Sequence, residues 1–314
     1  MKSSTNTSPI VPPLLAMGLA ILAVSTASIF IRYAQRTTPS LVIAAWRLTL
    51  ATLVLTPFAL RYHREEIRAL KRRELALLGL SGVFLAFHFA SWITSLEYSR
   101  VAIAVVLVST TPLWVAILAA LFLNERVGSL AVFGLAIALV GGGLVGLHES
   151  CQVLTGGIIC GKLSTLYQGR DFIGNILALA GAWFAAGYLL IGRRMRAGLS
   201  LIAYTFLVYG TAAMILLAGV GVLRQPLIGY PPLTYWWLLA LALVPQLLGH
   251  STFNWALGYL PVAFVSVLLL GEPVGATLLA LVLLGEVPGG LELLGGIFIL
   301  IGIYLAARGQ KGSN

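Results

Sequence analysis

Apolar residues run along the chain in ten long blocks, at roughly 11–34, 40–60, 75–96, 101–123, 128–147, 172–192, 200–223, 233–258, 262–284 and 290–307, with short polar connections between most of them. Each block is about the 20 residues that a hydrocarbon layer of roughly 30 Å requires of a helix. The pattern predicts an all-α integral membrane protein of ten transmembrane helices. The first block is too long for the apolar core of a signal peptide, has only Lys2 as a cation ahead of it and precedes no soluble domain, so it is expected to be retained.

The blocks repeat. The stretch AFVSVLLLGEPVGATLLALVLLGE at 263–286 has an earlier counterpart, AIAVVLVSTTPLWVAILAALFLNE at 102–125, at a constant offset of 161. The offset matches Pro112 to Pro273 and Glu125 to Glu286, and extends outward to Tyr98 with Tyr259, Gly134 with Gly295 and Gly141 with Gly302. A period this long is no solenoid unit; it marks two copies of a half-molecule. The expected division is 1–148 for helices one to five, 149–171 for an external loop and 172–314 for helices six to ten. Five crossings per half make the second copy start from the other side, so the halves are expected to be inverted repeats, an arrangement associated with secondary transporters.

Composition narrows the class. With 59% hydrophobic and 10% charged residues and a mean hydropathy of +0.98, the chain is no ordinary soluble domain. Its cations are unevenly placed: Arg61, Arg64, Arg68, Lys71, Arg72 and Arg73 share one connection, and Arg193, Arg194 and Arg196 another. Basic short loops stay on the cytoplasmic side, which puts both termini there too, in a multi-pass protein of the cell (inner) membrane. The net charge of +10 is then a consequence of topology. The bilayer, whose anionic headgroups suit such loops, is one partner, and no soluble basic module that would bind nucleic acid is present.

Polar residues inside the blocks are the candidate chemistry, because ionisable groups at membrane depth are costly. Glu272, followed by Pro273, lies near the middle of its block, where Thr111 stands in the other copy. It is the candidate for coupling or gating through proton uptake and release, with a structural carboxylate fixing the break at Pro273 as the alternative. His88 and Trp92, four residues apart, form one polar and aromatic stripe; Gln246, His250 and Asn254, with the adjacent Trp255, form its counterpart. Both histidines sit about 12 Å from a helix end at the helical rise. Together these residues are read as walls of a central cavity for a flat or aromatic solute, or as interhelical bonds worth about 0.6–2 kcal/mol each. Arg47 is either a cavity cation for a solute carboxylate or a structural group paired with Glu97 or snorkelled to the surface.

The remaining features are structural. Pro112, Pro273, Glu125 and Glu286 mark breaks and helix ends, and the glycines around 141–146 and 295–296 predict close helix contact within the chain or in a homodimer. Cys151 and Cys160 fall in the external loop, where an oxidising space would allow a disulfide. No cofactor and no metal is expected: His148, Cys151 and Cys160 lack a fourth ligand and paired spacing. A metal centre of His88, His250 and Glu272 in an intramembrane enzyme is an alternative reading, as is a gated channel. No G-x-x-x-x-G-K loop is present to couple ATP.

The duplicated unit, with Pro112 and Pro273, Glu125 and Glu286 and a glycine-rich helix after each, resembles the EamA repeat of the drug/metabolite transporter superfamily. The passage HFASWITSLEYSRVAIAVVLVSTTPLWVAILAALFLNE is especially similar to the first-half signature of its bacterial ten-helix members. The resemblance covers nearly the whole chain. It implies a basket-like bundle of two five-helix inverted EamA repeats, a central solute cavity, alternating access, and export of small metabolites such as amino acids or purine-like and toxic compounds. The long external loop departs from the short connection the resemblance implies.

Overall fold

A computed structural model describes residues 12–122, 128–147, 151–154, 157–160, 169–269 and 271–311. Glu125 and His148 lie outside them. The first apolar block forms two helices, α1 (Pro13–Ser25) and α2 (Ala27–Gln35). Then come α3 (Ser40–Tyr62), the short α4 (Arg64–Arg68) and α5 (Arg72–Tyr98). The fourth block is again divided, into α6 (Val101–Val108) and α7 (Thr111–Phe122), and α8 (Ser129–Leu147) ends the first half.

The second half contains α9 (Arg170–Arg196), α10 (Leu201–Val222), α11 (Pro232–Leu241), α12 (Ser251–Ala256), α13 (Val262–Leu268), α14 (Gly271–Leu284) and α15 (Gly290–Lys311). Among the described residues eight stretches are long and apolar enough to cross a membrane, and two shorter apolar stretches, Val132–Leu144 and Gly290–Gly302, lie within α8 and α15. The connection between α8 and the second half is not wholly irregular: β1 (Cys151–Leu154) pairs antiparallel with β2 (Gly157–Cys160), with Cys151 directly opposite Cys160.

Each interruption has a local cause. Pro112 and Pro273 cannot donate to the turn before them, and the chain re-enters a helix at Thr111 and Gly271. Around the first break Ser109, Thr110 and Thr111 turn their hydroxyls back onto the carbonyls of Val105, Leu107 and Val108, at 2.6–2.7 Å. At the α1–α2 joint, Ser25 and Thr26 bond back to Ile21 and Ala23 in the same way, a habit that bends helices. Between α11 and α12 the expected α-helix widens into a π-helical stretch, Ala242–His250, with Pro245 inside it. There the Ser251 N–H reaches back five residues to the Gln246 carbonyl, the spacing of a π turn.

The glycines matched by the offset meet one another. A Cβ on Gly141 would lie 2.5 Å from the carbonyl oxygen of Gly295, and one on Gly302 would collide with the carbonyl of Gly134. Exchanging each residue for its partner 161 positions away turns the first contact into the second. Thus α8 and α15 cross antiparallel, with a local two-fold between them, and these glycines serve contact within the chain. The same exchange relates the packing of α6 on α14 to that of α13 on α7.

Both basic connections lie at one end of the bundle. Glu66 in α4 accepts from the Ser200 N–H at 2.6 Å and from Ser200 Oγ at 2.5 Å, at the start of α10. Partial burial pushes the Glu66 carboxyl up, but the Ser200 bonds and His63 outweigh it and hold the group below its ordinary value. At the other end Glu286 accepts from Arg32 at 3.3 Å and from the Val101 N–H at 3.0 Å, and Arg100 pairs with Glu292 at 3.3 Å. Those contacts tie α2, α6, α14 and α15 together.

Candidate functional site

Where the interrupted helices meet, they leave a cavity of about 60 Å³. Its walls come from both halves: His88 and Trp92 of α5, Ser109, Thr111 and Pro112 at the α6–α7 break, Ala185, Tyr188 and Leu189 of α9, His250 and Phe253 beside the π-helical stretch, and Ser266, Leu269 and Glu272 at the α13–α14 break.

The aromatic side is ordered. His88 Nδ1 lies 2.9 Å from the Gly181 carbonyl oxygen, which can only accept, so Nδ1 carries the proton and Nε2 of the neutral ring is left as an acceptor. The imidazole is nearly parallel to Trp92, at 5° with centroids 6.0 Å apart, and His250 stands 6.3 Å from His88 and edge-on to Phe89 at 5.3 Å. Glu272 opens α14 in its first turn, where the positive end of a helix favours a carboxylate.

Other expected residues stand behind the wall. Gln246 and Asn254 are fully buried, and Arg47 is too. Arg47 Nε donates to Gln246 Oε1 at 2.8 Å, its guanidinium lying over Phe89 at 4.1 Å. Glu97, expected as its partner, instead accepts from the Ser40 N–H at 3.1 Å and from Ser40 Oγ at 2.5 Å, capping α3. Arg47 does not snorkel. Asn254 joins two tyrosines: its Oδ1 accepts from Tyr188 at 2.6 Å and its Nδ2 donates to Tyr209 Oη at 3.2 Å. Trp255 packs on Tyr259, away from the cavity wall.

The single-face expectation for Gln246, His250 and Asn254 assumed α-helical spacing. The π turn alters their bearing, so His250 reaches the cavity while the two amides point into the packing between α3, α9 and α10. Tyr188, Phe253 and Ser266 were missed. For Tyr188 a signal existed, a hydroxylated aromatic in the interior of an apolar block; Ser266 was marked only by its nearness to Pro273. Among the described residues no group of three His, Cys, Asp or Glu is placed to hold a metal.

Comparison with known proteins agrees with this architecture. An uncharacterized transporter of Archaeoglobus fulgidus (strain ATCC 49558 / DSM 4304 / JCM 9628 / NBRC 100126 / VC-16) is 26% identical over 293 residues, covering 93% of this chain and 95% of its own. A solved crystal structure described only as that of a protein has a TM-score of 0.67 at 20% identity, covering 94% of this chain and 96% of its own, a likeness of fold. The EamA-like transporter family matches twice, over residues 12–147 and 172–308, one match in each copy of the duplicated half. A duplicated, membrane-spanning helical chain with both halves matched in this way belongs to the EamA-like transporter family.

Proposed function

We propose that this membrane transporter is a secondary carrier that exports small organic solutes by alternating access through the cavity of His88, Trp92, His250 and Glu272. The observation that carries the reading is the meeting of two broken helices from opposite halves at one cavity, the arrangement in which transporters hold solute. Near-parallel imidazole and indole rings suit a planar solute such as a purine-like compound or an aromatic amino acid. A cavity of about 60 Å³ has room for a few waters, so solute binding requires the halves to move apart.

In this reading the chain crosses the cell membrane ten times as two inverted repeats, 1–148 and 172–314, and both termini are cytoplasmic. The Glu66–Ser200 bonds support it by gathering the two basic connections at one end. The opposite, external end is closed by Arg32–Glu286 and Arg100–Glu292, and outward opening breaks those pairs. Glu272 carries the coupled proton: no described residue hydrogen-bonds its carboxylate, and it faces a cavity that solute and water enter in turn.

The test is uptake into proteoliposomes of labelled amino acids and nucleobases, with and without an imposed pH gradient. Saturable uptake of one class that accumulates only with the gradient supports a proton-coupled carrier. Saturable uptake that merely equilibrates leaves a facilitator and removes the coupling role of Glu272. Flux that does not saturate would favour a channel.

A further inference from the structure

Next to the cavity lies a cluster of N–H donors, most of which have no acceptor among the described residues. Arg47 is fully buried, yet Nη1 and Nη2 have no hydrogen-bond partner among the described residues. Trp92, 2% exposed, leaves Nε1 unpartnered as well. Its ring lies 5.9 Å from the guanidinium carbon and forms part of the cavity wall, so it links the buried cation to the cavity. The oxygen of Gln246 is already engaged by Arg47 Nε, which leaves that amide only its N–H groups to offer.

The missing member is therefore an acceptor with negative charge. A buried guanidinium left without one is among the costlier arrangements in a protein interior. Glu272 does not supply it: among the described residues it is neither hydrogen-bonded nor ion-paired to Arg47. Glu97 is held at the start of α3 by Ser40. A planar fork of N–H donors suits a carboxylate, which accepts two of them side by side.

We propose that Arg47, with Trp92 Nε1 and Gln246 beside it, is a subsite for the carboxylate of the transported solute. This rests on the carrier reading above and narrows its solute class to planar molecules bearing a carboxylate, excluding neutral nucleobases. Phe89, stacked on the guanidinium at 4.1 Å and edge-on to His250 at 5.3 Å, forms the partition between this subsite and the cavity, and it moves aside when the carboxylate enters.

The test is binding of benzoate, benzamide and chloride to the purified full-length protein, read from tryptophan fluorescence and thermal unfolding. Benzoate is expected to bind at least about tenfold more tightly than benzamide, the range for hydrogen bonds to a charged partner. Arg47→Gln should bring that ratio toward one. Because this substitution can impair folding, Gln246→Glu is the second variant: it sets a carboxylate of the protein against the guanidinium, and it too should erase the preference while unfolding remains cooperative. Equal binding of benzoate and benzamide to the wild type overturns the proposal, as does an undiminished preference in Gln246→Glu. Stabilisation by chloride alone, with benzoate and benzamide alike, would assign the site to a free halide and also overturn it. Binding is read without flux, so a failure to transport sinks the carrier reading, whereas flux without carboxylate preference sinks the subsite alone.

Discussion

Glu272 shares its cavity with two imidazoles and a tyrosine, yet none of the described residues donates a hydrogen bond to its carboxylate; Ser25 Oγ reaches only its backbone carbonyl, at 3.4 Å. In the proposed carrier this carboxylate exchanges its proton with what enters the cavity. Glu272→Gln keeps the size and removes the titration, so gradient-driven accumulation in proteoliposomes should fall to simple equilibration; accumulation equal to the wild type would return Glu272 to a structural role. Asn254 acts through the tyrosines. Asn254→Leu leaves the buried hydroxyls of Tyr188 and Tyr209 without their amide, and thermal unfolding should show a loss of about 1–3 kcal/mol. His88, Trp92 and His250 were legible from the i, i+4 spacing of polar groups in apolar blocks. Gln246 and Asn254 were legible as buried and polar but not as to what they face, because a π turn leaves no reliable signature beyond Pro245.

At the scale of elements, the breaks at Pro112 and Pro273 were readable because proline has one clear effect on a helix. The α1–α2 joint was less so, since Ser25 and Thr26 occur in many unbroken helices. The α8–α15 crossing depends on absent side chains. Gly141→Leu and Gly302→Leu each drive a side chain into a facing backbone, and overpacking of this kind costs about 1–3 kcal/mol or more. The two variants should lose thermal stability to a similar degree, and a large loss in only one would contradict the two-fold contact.

The Glu66–Ser200 clasp is an element-level contact with a pH signature. The folded state lowers the Glu66 carboxyl, so its contribution is present above the ordinary carboxylate value of about 4.3 and is lost as pH falls through the lower, folded value. Stability of the wild type should therefore fall more than that of Glu66→Gln as pH drops from about 5 to 3. Parallel pH profiles would deny the clasp its role.

For the molecule as a whole, duplication was the most informative feature of the sequence. The offset of 161 marked Gly134 with Gly295 and Gly141 with Gly302 as equivalent positions, whereas the contacts run crosswise, Gly141 to Gly295 and Gly134 to Gly302, a pairing that only the folded chain reveals. Hydrophobic block length forecast the eight stretches that are long and apolar enough to cross a membrane among the described residues, and the two glycine-rich blocks form the helices α8 and α15. Periodicity could not forecast the β1–β2 hairpin, whose four-residue strands are too short to carry one. Nor could it reveal that Arg47 lies behind the cavity wall, since that depends on how α3, α5 and the π-helical stretch converge.

The measurement that tests the account most directly is saturable solute counterflow by the wild type and by Ala185→Phe. Ala185 lines the cavity, and a phenyl ring there occupies the space that solute must use while α9 remains a helix. Counterflow by the wild type that disappears in Ala185→Phe, with cooperative unfolding retained, is the predicted result. Undiminished counterflow in the plugged variant would place the path elsewhere and contradict the assignment of this cavity.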